Sequence, residues 1–233
     1  MTLERVLEPE AMDTWEDAVE YDSMDFTEVN TAFAERALDL GPPEGVLLDA
    51  GTGTARIPIL MAQRRRTLRI WAIDLSENML KVGTKNVEEA GVDQLVQLRK
   101  GDAKVLAYPD NYFDMVMSNS IVHHLPEPLP FLREVNRVTK PNGGIFLRDL
   151  IRPPDERTLE ELTAKYAGGC TDYQKKLYRD SLRASFTLDE MRELIEKSEI
   201  MGATILQSSD RHWSVERPWR PPSEKKFRLR ASY

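Results

Sequence analysis

The chain is short of the residues that build covalent or metal-clustered centres: Cys170 is its one cysteine, and it holds three histidines. A single thiol excludes an internal disulfide and any multi-cysteine metal cluster. No run of about eighteen or more apolar residues is present, so no membrane-spanning helix is expected. The opening segment MTLERVLEPEAMDTWED lacks the basic start and apolar stretch of an export signal, and the expected location is the cytoplasm. Positive charge is also in deficit. A net charge of −7 speaks against a general DNA binder and makes RNA a poor expectation, because neutralising phosphates takes a basic face. Repeats and low-complexity tracts are absent.

What is present is an ordinary globular composition, 41% apolar and 30% charged, in a length that suits one well-buried α/β core. The charges are unevenly placed. Residues 1–40 carry twelve acids against Arg5 and Arg36, whereas residues 217–233 carry six bases, Arg217, Arg220, Lys225, Lys226, Arg228 and Arg230, against Glu224. Two readings stand: solvated ends that attract each other, or a basic tail that touches an anionic substrate or RNA.

From residue 46 to residue 150 short apolar runs alternate with turns and helical periodicity, the rhythm of a parallel sheet. Val46–Leu48 reads as a buried strand ending at Asp49. A helix follows from about Thr54 to Arg65, with Ile57, Leu60 and Met61 on one face and Pro58 in its first turn. Arg69–Asp74 is the second strand, and Ser76 opens a helix that stops near Gly91. Val96–Arg99, Phe113–Ser118 and Ile145–Leu150 are further strands, with a helix at Phe131–Val138 and a turn at Pro141-Asn142-Gly143-Gly144. After Pro153-Pro154 come helices over Glu156–Tyr166, Asp172–Ala184 and 188–199, the last capped by Thr187. Ala203–Gln207 and His212–Val215 then form a closing pair of strands. The first forty residues and the region 152–185 are the expected lid.

Ligands of an open parallel sheet sit beyond the carboxyl ends of its strands, so the residues ending each strand are the informative ones. Here they are Asp49-Ala50-Gly51-Thr52-Gly53-Thr54-Ala55, Asp74, Asp102 and Ser118-Asn119. Glycine at 51 and 53 lets the backbone turn tightly close to a ligand, and the helix beyond offers unpaired amides. Alone, such a turn is equally a plain tight turn. An NAD-type fingerprint wants a third glycine at position 56, where Arg56 stands. Asp74, at the end of the next strand, is placed to accept hydrogen bonds from both hydroxyls of a ribose, or to cap the helix near Ser76.

In order, VLLDAGTGTARIPI, AIDLSENML, GDAKVLAYPDNYFDMVMSNSIVHHL and LREVNRVTKPNGGIFLRDL resemble the successive motifs of the class I S-adenosylmethionine (SAM)-dependent methyltransferases. The likeness is strongest to the subgroup with the ubiquinone and menaquinone C-methyltransferases, and it runs from Val46 to about Leu150. It implies a doubly wound α/β fold, a mostly parallel seven-stranded Rossmann-like sheet with an N-terminal helical lid and a helical insertion after the fifth strand. The chain then divides into a lid (1–40), a SAM-binding core (41–150), a helical cap with closing strands (151–217) and a basic tail (218–233). The implied cofactor is S-adenosyl-L-methionine, with S-adenosyl-L-homocysteine as product and a small molecule as methyl acceptor. By the same resemblance Asp49, Gly51 and Gly53 surround the methionine part, Asp74 holds the ribose diol, and Leu75 and Met79 flank adenine. Asp102 and Ala103 read the adenine amino edge, Ser118 and Asn119 line the route to the sulfonium, and Tyr21 approaches the methionine end. Ala55 departs from the pattern, standing where a further glycine is frequent. Carboxylates rimming the pocket suit a ligand that carries an ammonium and a sulfonium.

Methyl transfer needs alignment and exclusion of water rather than a covalent nucleophile. A hydroxyl or carbon acceptor gains from a base, and His123 and His124 follow the fourth strand where the methyl group is delivered. His124 is the favoured candidate, set against a reading in which one histidine simply packs or caps. No metal site is expected, since adjacent side chains point apart and no third ligand is evident. Nitrogen is the less favoured acceptor atom, because the N/D-P-P-[FYW] tetrad of amino-methylating nucleic-acid enzymes is replaced by Ser118-Asn119-Ser120-Ile121. The alternatives are a SAM-binding regulatory or partner subunit without catalysis, and an enzyme acting on tRNA or protein. His212-Trp213 stands either at the pocket mouth or on a strand with a packed tryptophan. Asp149 and Arg152 sit at the edge expected for substrate contact, Arg152 as an anion holder or as a salt-bridging residue.

Overall fold

The structure, a computed structural model, describes residues 3–8 and 14–222; Glu224, Lys225, Lys226, Arg228 and Arg230 of the basic tail lie outside them. The strands are β1 (Gly45–Ala50), β2 (Leu68–Asp74), β3 (Val96–Lys100), β4 (Phe113–Asn119), β5 (Thr139–Leu150), β6 (Thr204–Gln207) and β7 (His212–Arg217). They form one sheet in the order β3-β2-β1-β4-β5-β7-β6. β1 to β5 pair in parallel, and β7 runs antiparallel between β5 and β6. The central strands are covered on both faces, which is why Leu47, Leu48, Met115, Val116 and Met117 form unbroken apolar runs, all fully buried.

The helices are α1 (Trp15–Ser23), α2 (Thr27–Leu40), α3 (Arg56–Arg64), α4 (Glu77–Glu89), α5 (Leu129–Val138), α6 (Glu156–Ala167), α7 (Asp172–Ala184) and α8 (Leu188–Lys197). One face of the sheet packs against α2 and α3 through Phe33, Ala34, Ala37, Ile57 and Met61. The other packs against α5 and α8 through Phe131, Val135 and Met191. The doubly wound architecture is therefore as expected. Within the first forty residues, α2 is core: Phe33 stacks on Phe146 with ring centroids 4.4 Å apart. Its apolar residues fall three and four apart on one stripe, which the sheet buries.

The turn expected at Pro141–Gly144 lies inside β5. Phe113 pairs with Thr139 but Met115 pairs with Gly144, so residues 140–143 bulge out of register. The Asp114 carboxylate fixes the bulge, accepting from Lys140 Nζ at 2.7 Å and from the Val46 amide of β1 at 3.0 Å. α6 and α7 leave the sheet after a bridge between Ile151 and Phe186 and return to it there.

Candidate active site

The chain order reverses between β1 and β4, which places the crevice at the carboxyl ends of those strands. The amides of Gly51 and Thr52 both donate to the Ile73 carbonyl at 2.9 Å, folding the turn after β1 back against β2. Gly51 has φ 78°, and a Cβ there would come 2.0 Å from Ile121 Cγ2, so only glycine fits. Gly53, at φ 55°, has open space whose nearest neighbour is the Tyr21 ring at 3.7 Å. Ala55 sits at φ 63° ahead of α3. A left-handed alanine costs on the order of 1 kcal/mol, a backbone reason for a glycine to be favoured at such a position.

Asp49 is buried at the end of β1, and burial pushes its carboxyl up to about 7. The neighbouring Thr52 hydroxyl lowers it in part, yet falls short of hydrogen-bond geometry and leaves its own Oγ1 without a partner. Asp74 accepts from the Gly53 amide at 2.8 Å and the Ser76 amide at 2.9 Å. Burial raises it despite those bonds. Ser76, not Asp74, is the cap of α4, taking the Met79 amide. The Tyr21 hydroxyl is raised by burial and by the charges of Asp74, Asp22 and Asp49. Tyr21, Asp49, Gly51, Gly53 and Asp74 are thus brought together, and a buried acid pushed towards its neutral form beside an open glycine turn fits a cationic ligand.

Further along the rim, Leu75 is 61% exposed, an apolar shelf beyond Asp74. Asp102 lies beside partly buried Ala103 and accepts from the Lys104 amide and Nζ at 2.9 and 2.8 Å. Burial opposes its ionisation, but Lys104 holds it below its ordinary value. Ser118 is buried and its hydroxyl donates to the Ala50 carbonyl at 2.7 Å, so it ties β4 to β1 instead of facing the crevice. Asn119 Oδ1 accepts from Arg148 Nε at 3.1 Å.

α1 closes the rim through residues that the sequence pattern did not single out for this. Arg56 grips Asp22 with two hydrogen bonds, 2.8 and 2.6 Å, and Asn86 donates to both Asp22 and the Thr54 carbonyl at 3.0 Å. Arg56, read as a missing glycine, is therefore the clasp between α3 and α1. Its signal in the sequence was its type alone.

A second cluster stands beyond β4, on a one-turn 3-10 helix, Val122–His124. His123 is buried with Nδ1 2.6 Å from Asp149 Oδ1. Asp149 also accepts the amides of Val122, His123 and Leu150 at 2.6, 3.2 and 2.6 Å. Burial would raise this acid, but His123 and the Leu150 amide hold it below its ordinary value. Burial likewise opposes the His123 charge, and Asp149 outweighs it, raising the imidazole. His124 Nδ1 lies 2.5 Å from Glu8 Oε2, and the two imidazole centroids are only 4.0 Å apart. The expectation that the pair points apart is corrected: the tight turn and the shared Glu8 carboxylate draw both rings together. Glu8 carried no periodic or motif signal. It is delivered by Arg5, which donates to the carbonyls of Ala184, His123 and Leu125 at 2.6, 3.2 and 2.9 Å.

For Arg152 and for His212-Trp213, each left with two readings, the structure favours the inward one. Arg152 is buried, with Glu190 at 2.6 Å and the Ser185 carbonyl at 3.1 Å, a salt-bridging residue rather than an anion holder. Trp213 is fully buried in the core, and His212 is held down to about 3 by burial and by Arg148 and Arg211, hence neutral. His212 and Trp213 lie on β7 inside the sheet, and Arg152, just past β5, turns in towards Ser185 and Glu190.

Residues 48–147 match the family model described as a methyltransferase domain. The demethylmenaquinone methyltransferase of Listeria welshimeri is 39% identical over 108 residues, 46% of this chain and 45% of that protein. The chain thus spans under half the length of the curated relatives it matches. A SAM-dependent methyltransferase from Aquifex aeolicus superposes with a TM-score of 0.64 at 19% identity, over 87% of this chain and 97% of that one. Phosphoethanolamine N-methyltransferase 2 of Haemonchus contortus, solved with S-adenosyl-L-methionine, gives 0.68 at 17% identity, over 89% and 57%. The fold likeness and the matched segment bear out the resemblance carried by the motifs. No helix among the described residues is long and apolar enough to cross a membrane.

Proposed function

We propose, from a core that matches a methyltransferase-domain model over residues 48–147, that this chain transfers a methyl group from S-adenosylmethionine to a hydroxyl or carbon of a small molecule. The observation that carries the reading is Asp49, a buried carboxyl held up at about 7 beside the open turn at Gly53. An ammonium arriving there offsets the cost of its ionisation.

In this reading Asp49 holds the ammonium, and Gly51 and Gly53 leave room for the methionine chain under Tyr21. Asp74 accepts from the ribose hydroxyls, Leu75 and Met79 flank adenine, and Asp102 with Ala103 meets its amino edge, Asp102 turning from Lys104. Bound there, S-adenosylmethionine supplies a methyl group on positively charged sulfur. The residues around it have to align the acceptor and keep water out. Asn119, set by Arg148, edges the acceptor side, while Ser118 supports it from behind. Proton removal from the acceptor falls to the His123–His124 end. The demethylmenaquinone relatives support a ring acceptor of quinol type, and the absence of the amino-methylating tetrad after β4 favours hydroxyl or carbon over nitrogen.

Calorimetry with S-adenosylmethionine and S-adenosylhomocysteine tests the cofactor site, and labelled methyl transfer into phenols, quinols and a metabolite extract tests the chemistry. Saturable binding with a labelled product is expected. Binding with no product from any fraction would leave a cofactor-binding subunit, and absence of binding would overturn the whole reading.

A further inference from the structure

We propose that Glu8, His123 and His124 bind one divalent transition-metal ion of the zinc class at the acceptor end of the crevice. Its use in catalysis rests on the methyl-transfer reading; its existence does not.

The three side chains each turn one ligand atom inward, and these atoms lie within 4.8 Å of one another. Two imidazole nitrogens and a carboxylate oxygen form the donor set of catalytic zinc sites. Glu8 Oε2 is 2.5 Å from His124 Nδ1, and Glu8 Oε1 is 4.0 Å from His123 Nε2. An ion about 2.0–2.2 Å from each donor in tetrahedral geometry sets donors roughly 3.3 Å apart, a value between those two separations.

The groups behind the ligands point to the same occupant. Asp149 takes His123 Nδ1 at 2.6 Å, which leaves Nε2 facing Glu8. A carboxylate on the far nitrogen is how metal-binding imidazoles are oriented and made more basic. Asp149 cannot swing away, because three amides hold it. Ser181 donates to Glu8 Oε1 and orients the third ligand. Arg5 fastens the segment that carries Glu8, so the carboxylate is presented by a tied strap.

The cluster is closed behind and open in front: the His123 side chain is 5% exposed and that of His124 46%. Three protein ligands with one open position is the arrangement of a catalytic ion. An acceptor hydroxyl entering that position would bind as its conjugate base, its proton passing to solvent. Its oxygen would then form the bond to the methyl carbon as the methyl–sulfur bond breaks and sulfur keeps the electron pair.

The test uses the full, untagged chain stripped with a chelator. Titration with cobalt(II) should produce visible d–d bands that saturate at one ion per chain, and zinc(II) should displace them. His124→Ala, at the half-exposed ligand, and Glu8→Gln should abolish the bands while circular dichroism and S-adenosylmethionine affinity stay unchanged. Asp149→Asn should weaken zinc about 10–100-fold if it folds. Absence of saturable cobalt or zinc binding, or binding that survives both ligand variants, would overturn the site and leave a carboxylate–imidazolium ion pair. A chain that binds metal but not S-adenosylmethionine keeps this site and loses the methyl-transfer reading; the reverse result removes the metal alone.

Discussion

The two ends of the crevice are built on opposite principles. At the β1–β2 rim the functional groups are near neighbours in the chain, burial pushes Asp49 up and Thr52 Oγ1 has no partner. Beyond β4 they come from Glu8, His123, Asp149 and Ser181, and nearly every polar atom has a partner. An open, frustrated rim is what a charged ligand completes. A satisfied cluster is what positions a reacting group. The contrast makes the two ends separately addressable by mutation, with the influence of His124 on Asp74 as a coupling between them.

The largest effect separates the ends by turnover. His124→Ala should lower the methyl-transfer rate by about 10²–10⁴-fold with S-adenosylmethionine affinity unchanged, measured by labelled transfer beside calorimetry. An equal loss in affinity would break the independence of the two ends. Asp49→Asn should do the converse, weakening cofactor binding by about 1.5–3 kcal/mol through loss of a charged partner. Asp74→Ala should weaken it by about 1–3 kcal/mol by the same measurement.

The protonation of Asp49 sharpens the comparison. Its folded carboxyl titrates near 7, above the roughly 3.9 of an unfolded aspartate. The folded chain therefore binds more protons in that interval, and the free protein loses stability as pH rises from about 4 to about 7. Cofactor binding needs the ionised form, so affinity should rise with pH through about 7 and binding should release a proton. Calorimetry in buffers of different ionisation enthalpy checks the release, and Asp49→Asn should abolish it. The smallest effect is expected at the α1 clasp. Arg56→Ala removes a half-exposed ion pair, and should cost at most about 1 kcal/mol in cofactor binding, appearing as faster release in stopped-flow.

The rim was legible in the sequence for the same reason that it is local. The turn of residues 49–55 is continuous, and Asp74 follows at the next strand end, where the parallel fold must bring it alongside. The cluster was half legible. His123 and His124 stand at a strand end, but Glu8 and Ser181 meet across 173 positions and no periodicity encodes such a pairing. Arg152 and His212-Trp213 kept two readings each because a strand end tells where a residue lies, not which way it turns. The bulge at 140–143 reads as a turn since its Pro, Asn and Gly residues are the same.

The helices α6 and α7 enter and leave the sheet at one neck, where Ile151 bridges Phe186 and Arg152 reaches the Ser185 carbonyl. A segment whose two ends already touch can be lengthened, shortened or exchanged at small closure cost and without changing the register of a single strand. This scaffold therefore keeps its cofactor rim fixed while treating the cap as an interchangeable cassette, and a graft of another helical pair at that neck should leave the sheet intact.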